Sequence, residues 1–303
     1  MIIGTRGSKL ALAQANLVAG LLQGQGVEAE LKIIKTSGDT FQDRPLHEVS
    51  GVGAFVREID ERLLAGEIDL AVHSMKDVPT IRPPGLVNAA ILKRDSPLDV
   101  LITRNGEKIT DLPPGAVIGT TSMRRRAQLL RFRPDLIVKD LRGNIDTRLR
   151  KLREGQYDGI ILAEAGLERM NWDLPREQLK PPDFIPSANQ GTIVLVTKKD
   201  APTEKIAKQL DHSPTRIEIM VEREIITILG GGCIVPIGAY ARTTKDAIKV
   251  TAEVLSLDGK KYVKIEEEIP REDWQENARK LGKKLRDNGG SELVAEAVET
   301  LKS

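Results

Sequence analysis

A single cysteine, Cys233, occurs in 303 residues, which excludes an intramolecular disulfide and the cross-linked frameworks of small secreted domains. Aromatic residues make up only 3% of the chain, too few for the stacking platform of a single-strand nucleic-acid binder. No apolar run approaches the roughly 20 residues needed to cross a bilayer. The start, MIIGTRGSK, lacks the apolar stretch after basic residues that marks a secretory signal, so a cytoplasmic protein without a membrane partner is expected. Charge of one sign is missing too. The 46 Lys and Arg against 44 Asp and Glu leave +2, which argues against a nucleic-acid partner and leaves any basic function to local clustering. No metal centre is expected.

What is present is alternation. A short apolar run at the start is followed by an amphipathic stretch with Leu10, Ala13, Leu17, Val18 and Leu21 on its predicted apolar face, then by AELKIIKT. A helix carrying Val56, Ile59 and Leu63, the strand IDLAVHSM, the run LVNAAIL, and later AVIGT, DLIVKDL and DGIILAEAG continue the pattern. Repeated strand-helix units predict α/β layers with largely parallel strands, and the length predicts two or three domains. A helix bearing Ile217, Met220, Val221, Ile225 and Ile228 then leads to IGAYARTT, IKVTAEVLS and KYVKIEEEI, which read as an antiparallel meander followed by helices. Gly4-Thr5-Arg6-Gly7-Ser8 and Gly119-Thr120-Thr121-Ser122 both close a strand and open a helix. This echo predicts two similar α/β domains with ligand at the carboxyl ends of their strands.

Those turns gather cations. Thr121 or Ser122 suits an N-cap, yet Arg124 and Arg125 then occupy the first helical turn, where the macrodipole prefers acids. An anion bound there would offset the placement. Arg142 precedes a helix starting near Asn144, Arg148 lies one turn inside it, and Arg6 precedes a helix capped by Ser8. Guanidinium forks pair with carboxylate or phosphate, so these turns describe a polyanion cleft, with a solvated basic face as the plain alternative. In HSMKDVP, Lys76 and Asp77 end an apolar strand, where an ionised carboxylate could stabilise a developing cation. In GGGCIVPIG, the glycines strip bulk from around Cys233 and argue for a reachable nucleophile, although a lone cysteine is more often an inert core residue.

Taken in order, GTRGSKLALAQA, HSMKDVP, GTTSMRRRAQ, LRGNIDTRL, YDGIILAEAGLERM and GGGCIVPIG resemble the hydroxymethylbilane synthase family, also called porphobilinogen deaminase, nearly end to end. The resemblance implies two periplasmic-binding-protein-like α/β domains plus a smaller C-terminal α+β domain. Residues 1–95 plus 191–212 would form the discontinuous first domain, 96–190 the second and 213–303 the third, with the chain crossing back near Thr192. It implies a transferase of porphyrin and heme biosynthesis. Such an enzyme deaminates four porphobilinogen molecules, joins them head to tail on a dipyrromethane cofactor and releases hydroxymethylbilane by hydrolysis. The cofactor would be held by a thioether to Cys233, with Lys76, Thr120, Ser122, Arg124, Arg125 and Arg148 around it. Arg6, Ser8, Arg142, Arg169, Gln190 and Phe55 would bind substrate, and Asp77 would be catalytic, holding pyrrole N–H groups and stabilising the azafulvene-like cation left when ammonia departs. A monomer is implied. The segment FQDRPLHEVSGVGAF resembles the family's mobile loop, with Val52 where lysine is frequent, and Asn189 stands where glycine is common. An anion-binding module without chemistry explains the arginines but gives no part to Asp77 and Cys233.

Overall fold

A computed structural model describes residues 1–36, 56–80, 82–230 and 235–301. In chain order come β1 (Ile2–Thr5), α1 (Lys9–Gln23), β2 (Glu30–Ile33), α2 (Arg57–Ala65), β3 (Leu70–Ser74) and β4 (Leu86–Ile91). Next are β5 (Asp99–Thr103), β6 (Val117–Gly119), α3 (Met123–Phe132), β7 (Ile137–Lys139), α4 (Ile145–Arg153), β8 (Gly159–Ala163), α5 (Glu164–Arg169) and β9 (Glu177–Leu179). Then follow β10 (Ile193–Lys198), α6 (Pro202–Lys208), α7 (Ser213–Leu229), β11 (Ile237–Thr243), β12 (Ala247–Leu255), β13 (Tyr262–Pro270), α8 (Trp274–Leu285) and α9 (Ser291–Thr300). The chain groups into two compact units. One comprises Met1–Ser96, Ala165–Trp172 and Gly191–Arg216, the other Pro97–Glu164, Asp173–Gln190 and Ile217–Ser303.

The first unit is built on a sheet of order β2-β1-β3-β10-β4. β1 pairs in parallel with β2 and β3, while β10 runs antiparallel to both β3 and β4. Ile3, Leu70, Val72, Ile193 and Leu195 form one buried cluster with Ala15, Val18 and Leu22 of α1. The buried stripe of α1 is thus Ala15, Val18 and Leu22, of which only Val18 lies on the predicted face, and Leu17 and Leu21 are exposed. The helix turns that way because β1 and β3 present their apolar side chains to the 15/18/22 seam, and Gln14 is drawn in to donate to Ser74 Oγ at 2.9 Å.

The second unit repeats the plan with order β7-β6-β8-β5-β9. β6 pairs in parallel with β7 and β8, and β5 runs antiparallel to β8 and β9. In each sheet four strands share a direction and one, β10 in the first and β5 in the second, opposes them. The C-terminal part adds the predicted meander β11-β12-β13. Its apolar face packs on Val221, Ile225 and Leu229 of α7 and on Ala278, Leu281 and Leu285 of α8. Met220, predicted on the apolar stripe of α7, is instead among the exposed large hydrophobic residues.

Gly191 sits where β10 is approached. Its φ is +84°, and a Cβ there would lie 2.6 Å from the Ser96 carbonyl oxygen and 2.8 Å from that of Asp95. The Asp95 N–H also donates to the Gly191 carbonyl at 3.0 Å, so these backbones cannot separate without losing a backbone bond. Gly191→Ala is expected to lower the free energy of unfolding by about 1–3 kcal/mol, measured by urea titration. Unchanged stability would show that the local backbone relaxes freely.

Candidate active site

The carboxyl ends of the parallel strands carry the polar turns singled out in the sequence. In the first unit β1 ends at buried Thr5 and is followed by half-buried Arg6, exposed Gly7 and half-buried Ser8. Ser8 is the N-cap of α1, with extended backbone and its Oγ accepting from the Ala11 N–H at 3.3 Å. β3 runs directly into a 3-10 turn, Met75–Asp77. Met75 is fully buried and its N–H donates to the Thr192 carbonyl at 2.9 Å, which pins the turn beside the start of β10. Lys76 is half-buried and Asp77 exposed.

A buried polar cluster lies under β3. His73 Nε2 stands 3.5 Å from Asp60 Oδ1 of α2, at the outer edge of hydrogen bonding, and Arg82 Nε donates to Asp60 Oδ2 at 3.1 Å. Arg82 also pairs with Asp60 Oδ1 and donates to Asn88 Oδ1 at 3.0 Å. Burial pushes the Asp60 carboxyl up, but the contacts with His73 and Arg82 outweigh it and hold the group below the ordinary aspartate range.

In the second unit Ser122 is the N-cap of α3, its Oγ accepting from the Arg125 N–H at 3.4 Å, and Thr120 Oγ1 accepts from the Ser122 N–H at 3.2 Å. Arg124 and Arg125 turn inward. Arg124 Nη2 donates to Asp99 Oδ2 at 2.7 Å, and its Nη1 donates to Gln128 Oε1 and the Ile185 carbonyl at 2.9 and 2.8 Å. Arg125 reaches Asp99 Oδ1 through Nε and Nη2 at 3.0 and 2.6 Å, and the Ile161 carbonyl through Nη1 at 3.1 Å. Gln190 adds a bond from Nε2 to Asp99 Oδ1 at 2.9 Å and another to the Pro97 carbonyl at 2.8 Å. Desolvation raises the Asp99 carboxyl, yet the two guanidinium charges override it and hold it far below its usual range. This carboxylate resolves the anomaly of two arginines at a helix start.

Half-buried Arg142 follows β7, and Asn144 caps α4 by accepting from the Thr147 N–H at 3.0 Å. Arg148, one turn inside, donates from Nε to the Gly143 carbonyl at 2.8 Å and pairs with no described carboxylate. Desolvation first, and the neighbouring Arg125 charge second, bring its pKa down to about 10. Arg169 belongs to the first unit, where it donates to Asp95 Oδ2 at 2.7 Å and to the Gly191 carbonyl at 2.8 Å. Asn189 is buried with φ of 66°, a left-handed conformation that glycine accepts most readily and asparagine next. Phe55, Val52 and Cys233 lie outside the described residues. The segment carrying Cys233 is flanked by α7 and β11, and buried Glu222 of α7 accepts from the Ala241 N–H of β11 at 2.8 Å and the Asn189 N–H at 2.6 Å.

Asp60, Asp95, Asp99 and Glu222 were missed in the sequence. For Asp99 alone there was a signal, an acid opening an otherwise apolar run, DVLIT.

Residues 1–206 match the family model described as "Porphobilinogen deaminase, dipyromethane cofactor binding domain", and residues 216–288 match "Porphobilinogen deaminase, C-terminal domain". The chain belongs to the porphobilinogen deaminase family. It is 58% identical over 300 residues to a "Probable porphobilinogen deaminase" of Methanococcoides burtonii, covering 98% of this chain and 97% of that protein. It is 60% identical over 301 residues to one of Methanosarcina acetivorans, covering 98% and 95%. Among solved structures it overlaps substrate-binding domain 2 of GlnP from Lactococcus lactis, in open conformation, with a TM-score of 0.43 and 14% identity, over 69% of this chain and 85% of that one. A porphobilinogen deaminase is a transferase of tetrapyrrole biosynthesis that works with a dipyrromethane cofactor. The residues in hand fit such a group. Arg148, partly desolvated beside Arg125 and paired with no carboxylate among the described residues, suits a ligand that brings carboxylates of its own.

Because its folded pKa is depressed, the Asp60 carboxylate stabilises the protein above the ordinary aspartate pKa of about 4, and this contribution is lost as pH falls below that value. Asp60→Asn is therefore expected to be less stable than wild type at pH 7, with the gap narrowing between about pH 5 and pH 3. Urea titrations across that window check it; a gap independent of pH would contradict the assignment.

Proposed function

We propose that this chain is a hydroxymethylbilane synthase. It removes ammonia from porphobilinogen, joins four such units head to tail on a dipyrromethane cofactor attached through Cys233, and releases hydroxymethylbilane by hydrolysis. The observation that carries the reading is the contrast among three strand-end turns. An exposed carboxylate, Asp77, closes β3, while the turns after β6 and β7 carry Arg124, Arg125, Arg142 and Arg148, with Asp99 the only described carboxylate paired to Arg124 and Arg125. Each pyrrole of the substrate brings an acetate and a propionate, and the guanidinium of Arg148, which pairs with no described carboxylate, suits them.

The cofactor supplies a free pyrrole position at which the chain can grow. The protein does the rest. Asp77 accepts hydrogen bonds from pyrrole N–H groups and stabilises the positive charge that develops on the substrate as ammonia leaves. Lys76, Thr120, Ser122, Arg124, Arg125 and Arg148 hold cofactor carboxylates, and Arg6, Ser8, Arg142 and Phe55 receive substrate. The Ser8 and Ser122 oxygens already accept capping bonds, yet each hydroxyl keeps its proton to donate to a carboxylate. Arg169 is engaged with Asp95 and a backbone carbonyl and Gln190 with buried Asp99 and a backbone carbonyl, which supports a positioning part for both. A monomer in the cytosol completes the proposal, and there a thioether outlasts a disulfide.

Intact-mass spectrometry of purified protein is expected to show a covalent excess of two deaminated porphobilinogen units, mapped to the peptide holding Cys233, and Cys233→Ser is expected to lack it. An unmodified wild-type mass after incubation with porphobilinogen and with preformed hydroxymethylbilane would favour an anion-binding module. Asp77→Ala should retain the attached cofactor and lose nearly all turnover. Wild-type rates in that variant would remove Asp77 from catalysis.

A further inference from the structure

Asp99 opens a strand whose five residues are all buried. A carboxylate in such a place is costly unless it is fully paired. Here it receives four bonds: Oδ2 takes one from Arg124, and Oδ1 takes two from Arg125 and one from Gln190. The charges do not cancel. Arg124, Arg125 and Arg148 are three cations against the one anion of Asp99, which leaves two positive charges (3 − 1 = 2). Glu253, whose charge Arg124 also feels, is taken by Arg131 at 2.6 Å and does not alter the sum. The donors of Arg124 and Arg125 are engaged by Asp99, by Gln128 and by the carbonyls of Ile185 and Ile161, so the orientation of both planes is set from within the protein.

We propose that Asp99 is the positioning residue of the anion site: it fixes the Arg124 and Arg125 guanidinium planes and lowers by one the positive charge that they present to ligand carboxylates. Gln190 assists without changing the charge. This inference rests on the function proposed above. It assigns Asp99 no contact with substrate or cofactor; its effect passes through the arginines. Removing its charge releases the guanidinium groups and raises the positive charge by one, so the site grips small inorganic anions better and a dicarboxylate pyrrole less selectively. Keeping the charge but adding a methylene, as in Asp99→Glu, leaves the excess unchanged and shifts the planes.

The test uses full-length protein purified without cofactor, as wild type, Asp99→Asn and Asp99→Glu, each incubated with preformed hydroxymethylbilane. Covalent mass gain is followed over time, and thermal unfolding of the same preparations is recorded with and without sulfate. Both variants are expected to acquire the mass about tenfold or more slowly, as loss of an outer-shell partner does at metal sites. Sulfate is expected to raise the melting temperature of Asp99→Asn more than that of wild type, and that of Asp99→Glu no more than that of wild type. Attachment at the wild-type rate in the folded variants overturns the proposal, as does a sulfate response of Asp99→Asn no larger than that of wild type. Should Asp99→Asn fail to fold, the attachment rate of Asp99→Glu decides. A wild-type protein that gains no mass removes the proposed function itself, whereas a wild type that gains it alongside equally fast variants removes only the role of Asp99.

Discussion

Burying the carboxylate of Asp99 dictates how the second unit is assembled. An anion at the head of an interior strand must be met by charged donors, and the nearest helix supplies them from its first turn, against the preference of its own dipole. Arg124 and Arg125 can reach inward only because β6 ends in the Thr120–Ser122 turn. That turn caps α3 with Ser122 and leaves the next residues facing β5 and β8. Gln190 then ties the segment ahead of β10 to the same carboxylate and to the Pro97 carbonyl. Removing the acid would strand two cations in a desolvated place, so the helix start, the strand and the connection form one unit of stability.

The same plan is furnished differently in the first unit. Its sheet has the corresponding strand order, yet the acid at its carboxyl edge, Asp77, is exposed, and the buried acid, Asp60, sits under β3 with His73 and Arg82. Close packing at the turns also uses local means. A Cβ at Gly4 would meet Ile68, while one at Gly119 would meet Tyr157 and Leu141. Two carboxylates in two environments thus suit different tasks: one stays paired and structural, the other remains open to a ligand.

Much of this was readable from local chemistry. Ser8, Ser122 and Asn144 stand as caps because short polar side chains precede apolar-periodic runs, and the helix from Ser213 and the meander from Ile237 follow from their spacing. The family was legible because its motifs lie in order along nearly the whole chain. What escaped was set by distant partners. The buried face of α1 depends on which strands lie beneath it, so Leu17 and Leu21 were assigned to the wrong side. DVLIT, buried throughout, has no alternation to mark it as a strand. Asp99 meets arginines 25 and 26 residues away and a glutamine 91 away, separations that no window captures. Asn189, noted only as a departure from glycine, proves to hold a left-handed backbone that asparagine tolerates.

The strand order also bears on how the polypeptide matures as it leaves the ribosome. β10 lies between β3 and β4, so the sheet begun by β1 has a gap until residue 198 has been made, whereas every strand of the second five-stranded sheet is present by Leu179. The sheet that is begun first is therefore completed after the second five-stranded sheet, though before the C-terminal meander. Most chains finish their N-terminal domain before the next is made; here vectorial synthesis leaves the β3 and β4 edges waiting for the strand that joins them.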